Sequence, residues 1–152
     1  MAEEHDYKEF PELTNKQLET MQFQSPHEQI IADFVATVVK VHDGDTITLF
    51  TEFRDFSFPL RFIGIDAPEL NVEGGKDIQI WLQNRILGKK VDILIDKNNR
   101  VEKFGRLLGG VFNNGMNVGD EMLRNGLVVP FDQRKETEFP VVEKMLDIKQ
   151  WL

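Results

Sequence analysis

FVATVVKVHDGDTITLF, Phe34 to Phe50, reads as one antiparallel hairpin. Its first half is crowded with β-branched residues, which fit a pleated, half-buried surface. Asp43-Gly44-Asp45 then makes a turn or bulge. TITLFTEF alternates, with Thr46, Thr48 and Phe50 on one face and Ile47, Leu49 and Thr51 on the other. Arg54-Asp55 falls in the next turn, and SFPLRFIGI, residues 57–65, forms a third strand. Pro59 within it predicts an edge position or a bulge.

Downstream, LNVEGG (70–75) is a loop, and KDIQIWLQNRIL (76–87) is a helix with Ile78, Trp81, Leu82 and Ile86 on its apolar side. VDILID (91–96) and FGRLLGGVF (104–112) are strands four and five, with the polar loop KNNRVEK between them. VGDEMLRNG (118–126) is a short helix, and EFPVVEKMLDIKQWL (138–152) is a C-terminal helix. The order is β-β-β-α-β-β-α-α. The class is α+β, mainly β, and the order is that of a five-stranded closed barrel of the OB type. Residues 1–33 read as an acidic, partly helical N-terminal extension, in which Thr14 caps a short helix and Ser25-Pro26-His27-Glu28 fits a capping box. Residues 34–152 are the barrel domain.

A chain of 152 residues, 41% hydrophobic and with twelve Phe, buries a real core. With no cysteine there is no disulfide framework, thiolate zinc site or cysteine nucleophile. MAEEHDYKEFPELTNKQ has neither the basic n-region nor the apolar h-region of a signal peptide, and no apolar run is of membrane-spanning length. The compartment stays open. The net charge of −8 is uneven: residues 1–33 hold eight acids and two bases, while residues 34–119 hold eleven of each. Within that neutral middle, residues 85–106 carry seven bases and three acids, a local stretch able to grip a phosphate or simply to be solvated.

Three acids lie at strand ends: Asp43 and Asp45 before strand two, and Asp66 at the end of strand three. Taken singly, DGD is a tight turn with an Asx bond and Asp66-Ala67-Pro68-Glu69 is a strand running into a loop. Together they make an all-oxygen set without His or Cys, which suits Ca²⁺ or Mg²⁺. It is not an EF-hand, because Ile47 stands where the third ligand belongs. Arg61 and Arg106 have the forked geometry for a phosphate, and Glu69 is a spare carboxylate able to take a proton from water or orient it. Strict alternation puts Arg61 and Asp66 on opposite faces, so both reach one site only if the strand bends, for which Gly64 and Pro68 provide. His42, next to these acids, is expected to face away from Asp43 for the same reason.

The run Val41-His42-Asp43-Gly44-Asp45-Thr46, then Arg61 through Asp66-Ala67-Pro68-Glu69, then Lys103-Phe104-Gly105-Arg106, resembles the staphylococcal nuclease (thermonuclease) family. The likeness continues through MNVGDEMLRNGLVV to a last helix ending near a tryptophan, and covers about residues 34–152 in one collinear run. The resemblance implies a calcium-dependent endonuclease on an OB barrel. Such enzymes cut DNA and RNA, preferring single strands. Water attacks phosphorus and the 5′ oxygen leaves, giving 3′-phosphate ends. It further implies that Asp45 and Asp66 bind the metal with backbone carbonyls near Thr46 and Ala67, and that Asp43 supports them from behind. Glu69 is then the general base, and Arg61 and Arg106 hold the phosphate. Arg100 and Lys103 are expected to help hold the strand. Ala67 stands where the family often has Thr, Phe104 replaces a tyrosine, and the tyrosines that usually line the nucleotide pocket are absent, Val129-Pro130-Phe131 lying in that region. The alternative is an OB-type nucleic-acid-binding or docking module that does not cut; engagement of a protein partner by residues 1–33 is compatible with either.

Overall fold

The computed structural model describes residues 11–17, 28–102 and 105–131. The expected C-terminal helix, Ser25 of the capping box, Lys103 and Phe104 lie outside the described residues.

The expected meander is present. β1 (Phe34–Val41) pairs antiparallel with β2 (Thr46–Phe50), and β2 with β3 (Phe58–Phe62). β1 also pairs with β5 (Lys90–Leu94), and β5 with β6 (Leu107–Asn113). A parallel seam between Leu60–Phe62 of β3 and Leu107–Gly109 of β6 closes the five strands into a barrel. Pro59, which has no N–H to give, pairs with Thr48 on one side and stands just ahead of the β6 seam on the other. β1 carries a bulge between Val38 and Lys40, the kind of irregularity that lets a small sheet curl.

Alternation fills the barrel. Val38, Ile47, Leu49, Phe58, Leu60, Ile93 and Leu107 are buried in one core with Phe62. Helix α1 (Gly75–Ile86) lays Ile78, Leu82 and Ile86 into it, with Trp81 at the margin. β7 (Met116–Asn117) leads into α2 (Val118–Arg124), capped by Asn117, whose side chain accepts from Asp120 N–H at 3.0 Å. Two short strands that the sequence did not separate, β4 (Ile65–Asp66) and β8 (Val129–Pro130), pair antiparallel.

The described part of the N-terminal segment is built onto the barrel: Glu12 and Leu13 are fully buried and Ile30 joins the core. Among the described residues no helix is long and apolar enough to cross a membrane.

Candidate active site

The site forms where the β1–β2 turn meets the end of β3. Asp43 closes that turn by accepting Asp45 N–H at 3.0 Å. Asp45 sits ahead of β2, and its carbonyl accepts Phe62 N–H at 2.8 Å, which ties the turn to β3. Its side chain is buried and reaches across: Oδ2 accepts Ala67 N–H at 2.9 Å, and Oδ1 accepts the Thr46 hydroxyl at 3.0 Å.

The alternation problem is solved by a break in the strand. β3 stops at Phe62, Gly64 takes φ +78°, and β4 restarts at Ile65. Arg61 and Asp66 therefore face each other. Arg61 Nη2 is 3.2 Å from Asp66 Oδ1 and 3.5 Å from Asp45 Oδ2, while Nη1 donates to the carbonyls of Phe62 and Ile65 at 3.2 and 3.1 Å. One guanidinium edge thus serves two buried carboxylates. The Phe131 ring lies 5.1 Å from the Arg61 carbon Cζ, held there by β8 and by Phe131 N–H donating to Gly64 C=O at 3.1 Å.

Arg106 approaches from the loop before β6. Its Nη1 donates to Thr46 Oγ1 at 3.2 Å, so the Thr46 hydroxyl links Arg106 to Asp45. Its other edge is gripped by Glu102, Nε to Oε1 at 2.8 Å and Nη2 to Oε2 at 3.1 Å. The hydrogen bonds that Arg106 donates to Glu102 hold its proton more firmly than usual, and the charges of Glu102, Asp45 and Asp43 add to this against the effect of burial. Asp43 shows the crowding of negative charge: burial first, then the Asp45 carboxylate, push its pKa up from 3.8 to about 6. The His42 ring meets Thr48 Oγ1 at 2.7 Å, on the β2 face that also carries Thr46, so it shares a cleft with Asp43 and Arg106 and does not face away as expected; burial, then Lys40 and Arg106, lower its pKa.

Glu69 is exposed in the loop after β4. Its backbone carbonyl accepts Val72 N–H at 2.9 Å and lies so close to Gly75 that a Cβ there would come within 2.0 Å of it. The first residue of α1 therefore anchors the Glu69 turn.

One further expectation is corrected. Arg100 does not face a strand-binding surface: it is 3% exposed, and its guanidinium points to Glu12, Ile30 and Leu13 of the N-terminal segment. The Thr46 carbonyl accepts from His42 N–H at 2.9 Å and Asp43 N–H at 3.4 Å within the turn, and the Thr46 hydroxyl adds a link between Asp45 and Arg106 that was not expected. Glu102 was missed; its position four residues before Arg106, with a glycine turn between, was the available signal.

A model of the family described as staphylococcal nuclease homologue matches residues 59–149. The chain belongs to this family. Among relatives, it is 32% identical over 109 residues to "Probable endonuclease LCL3" of Komagataella phaffii, covering 65% of this chain and 46% of that protein. It is 37% identical over 94 residues to the protein of the same name in Saccharomyces cerevisiae, covering 55% and 33%. With an "Uncharacterized endonuclease" of Escherichia coli it shares 32% over 105 residues, covering 68% and 65%. The chain thus spans less than half the length of the two yeast relatives. Within the family match fall Arg61, Asp66, Glu69 and Arg106, whereas Asp43, Asp45, Glu12 and the rest of the N-terminal segment precede it.

Proposed function

We propose that this chain is a nuclease that hydrolyses phosphodiester bonds of DNA and RNA, preferring single strands, with Ca²⁺ as its metal and Mg²⁺ as the substitute. The observation that carries the reading is Arg61 between Asp45 and Asp66, with Arg106 joined to the same carboxylate through Thr46. A purely structural barrel gains little from burying two carboxylates against one guanidinium edge, since buried ion pairs lose much of their attraction to desolvation.

The donor chemistry supports a hard cation. Asp45 and Asp66 are buried, carry more negative charge than Arg61 neutralises, and offer oxygen alone. The proposed set is the two carboxylates and backbone oxygen, with the Ala67 carbonyl as the backbone candidate; among the described residues no group of three or more His, Cys, Asp or Glu stands together as a metal cluster. Asp45 and Asp66 would hold the ion, and when bound it supplies positive charge to the phosphate oxygens.

The remaining roles belong to the side chains. Arg61 and Arg106 bind the phosphate oxygens and stabilise the added negative charge of a five-coordinate phosphorus. Glu69 accepts the proton of the attacking water. The new bond is water oxygen to phosphorus, and the bond that breaks is phosphorus to the 5′ oxygen, which leaves with a proton from solvent and yields a 3′-phosphate end. Asp43 supports Asp45 by fixing its N–H.

The test is incubation with heat-denatured DNA and with RNA in Ca²⁺, in Mg²⁺ and in chelator, followed by analysis of the product ends. Metal-dependent cutting to 3′-phosphate ends is expected. Binding without cutting under any metal overturns the reading in favour of a non-cutting OB module.

A further inference from the structure

Away from the acidic site, the charges most completely withdrawn from water among the described residues are Glu12, Arg54 and Arg100. The Glu12 side chain is 0% exposed and bridges two guanidiniums, Arg54 Nη2 at 2.6 Å and Arg100 Nη2 at 3.1 Å. Glu12 also accepts Ile30 N–H at 2.8 Å. Every acceptor recorded for the Arg100 side chain among the described residues belongs to the N-terminal segment: Glu12, the Leu13 and Ile30 carbonyls, and Asn15 Oδ1. The same segment reaches the neighbouring loop a second time, where Asn15 donates to the Lys97 carbonyl at 3.0 Å.

Arg100 is also the base of a hairpin. Its carbonyl accepts Leu108 N–H at 2.8 Å, Val101 bridges Leu107, and Glu102 N–H donates to the Arg106 carbonyl at 2.9 Å. Glu102 and Arg106 sit at the far end. Were these four acceptors withdrawn, the Arg100 guanidinium would be uncovered to water and the hairpin base would lose the hydrogen bonds that tie it to the N-terminal segment. Arg100, Glu102, Arg106 and Leu108 stand on one face of this hairpin, so contacts that hold Arg100 bear on the strand pair that carries Arg106.

We propose that the N-terminal segment is a positioning element for Arg106, and that Glu12, by holding Arg100, fixes the hairpin that presents Arg106 to the site. This rests on the reading of Arg106 as a phosphate-holding group. Arg54 provides the matched control, because it shares Glu12 with Arg100 but belongs to the turn between β2 and β3.

The experiment compares Arg100→Met and Arg54→Met in the full chain, measured at equal distance below each Tm. Amide exchange reads the hairpin and steady-state cleavage of an oligonucleotide reads the site. In Arg100→Met the Glu102 and Leu108 amides lose protection relative to those of Leu49 and Ile93. kcat falls at least about tenfold while KM moves much less, the signature of a misplaced rather than a missing contact. Arg54→Met leaves relative protection of the hairpin unchanged and kcat within about twofold. Arg100→Lys, whose ammonium still reaches Glu12, restores part of kcat, and replaces Arg100→Met in the comparison if that variant does not fold. Equal kcat losses in the two arms, or hairpin amides that keep their relative protection, overturn the proposal. Absence of cleavage by the unaltered chain defeats the nuclease reading instead, and the exchange arm still decides whether Arg100 holds the hairpin.

Discussion

The backbone N–H of Ala67 donates to Oδ2 of Asp45 at 2.9 Å. This bond joins the residue after β4 to the residue before β2, and so fixes the distance between the two turns that carry the acids. It also explains why a glycine separates Asp43 from Asp45. A Cβ on Gly44 would lie 2.7 Å from the Ala67 Cβ and 2.6 Å from Ile78 Cγ2, inside the contact that lets the two turns meet over α1.

Gly44→Ala is therefore expected to destabilise the fold by about 1–3 kcal/mol, the usual cost of forcing extra volume into a packed contact. It should also weaken metal binding by spreading Asp45 from Asp66. Urea denaturation and calcium titration of the same variant check both effects.

Glu69→Gln should lower kcat by about 10²–10⁴ without a change in Tm, since the side chain is exposed and its turn is held through the backbone. Single-turnover cleavage alongside a thermal melt separates the two quantities. Cleavage at the unaltered rate would remove Glu69 from the mechanism.

Calcium should raise the Tm, and chelation should reverse the rise. At a hundred times Kd the ion adds about 2.7 kcal/mol by mass action alone. Asp66→Asn, which removes one of the two buried carboxylates, should abolish the shift. Calorimetry of both proteins with and without the ion is the measurement.

Asp43 sets a pH dependence with a defined sign. Its pKa rises from 3.8 to about 6 on folding, because burial and the Asp45 charge disfavour the ionised form. The ionised side chain therefore opposes folding. That cost is absent below the unfolded pKa and complete above the folded one. In chelator, Asp43→Asn should raise the Tm at about pH 8, and the gain should shrink as pH falls through 6 towards 3.8. Melts across that range check it.

The strands were legible because their residues obey simple rules: β-branched Val and Thr in β1, strict alternation in β2, and a glycine where β3 had to break. Asp43, Asp45, Asp66 and the two arginines could be suspected of converging only as a set, since no single one departs from ordinary turn or surface chemistry, and the structure brings these five side chains to one place. What stayed hidden was the destination of long side chains. Arg100 lies in a basic, polar stretch that reads as solvated, yet it is buried by a segment far away in sequence. Local composition contains no record of that partner. Glu12 was obscured in the same way, as one acid among eight in residues 1–33. The β4–β8 pair was missed because two-residue strands carry no periodicity to detect.

The parallel seam between β3 and β6 has a kinetic consequence. It joins strands separated in sequence by β4, α1 and β5, and Arg61 lies within it, in register with Leu108 on one side and Thr46 on the other. Contacts of such high order form late, because the loop entropy comes before the reward. A partly unfolded chain consequently lacks the arrangement around Arg61 until these strands dock, so the proposed hydrolysis should require the fully folded barrel.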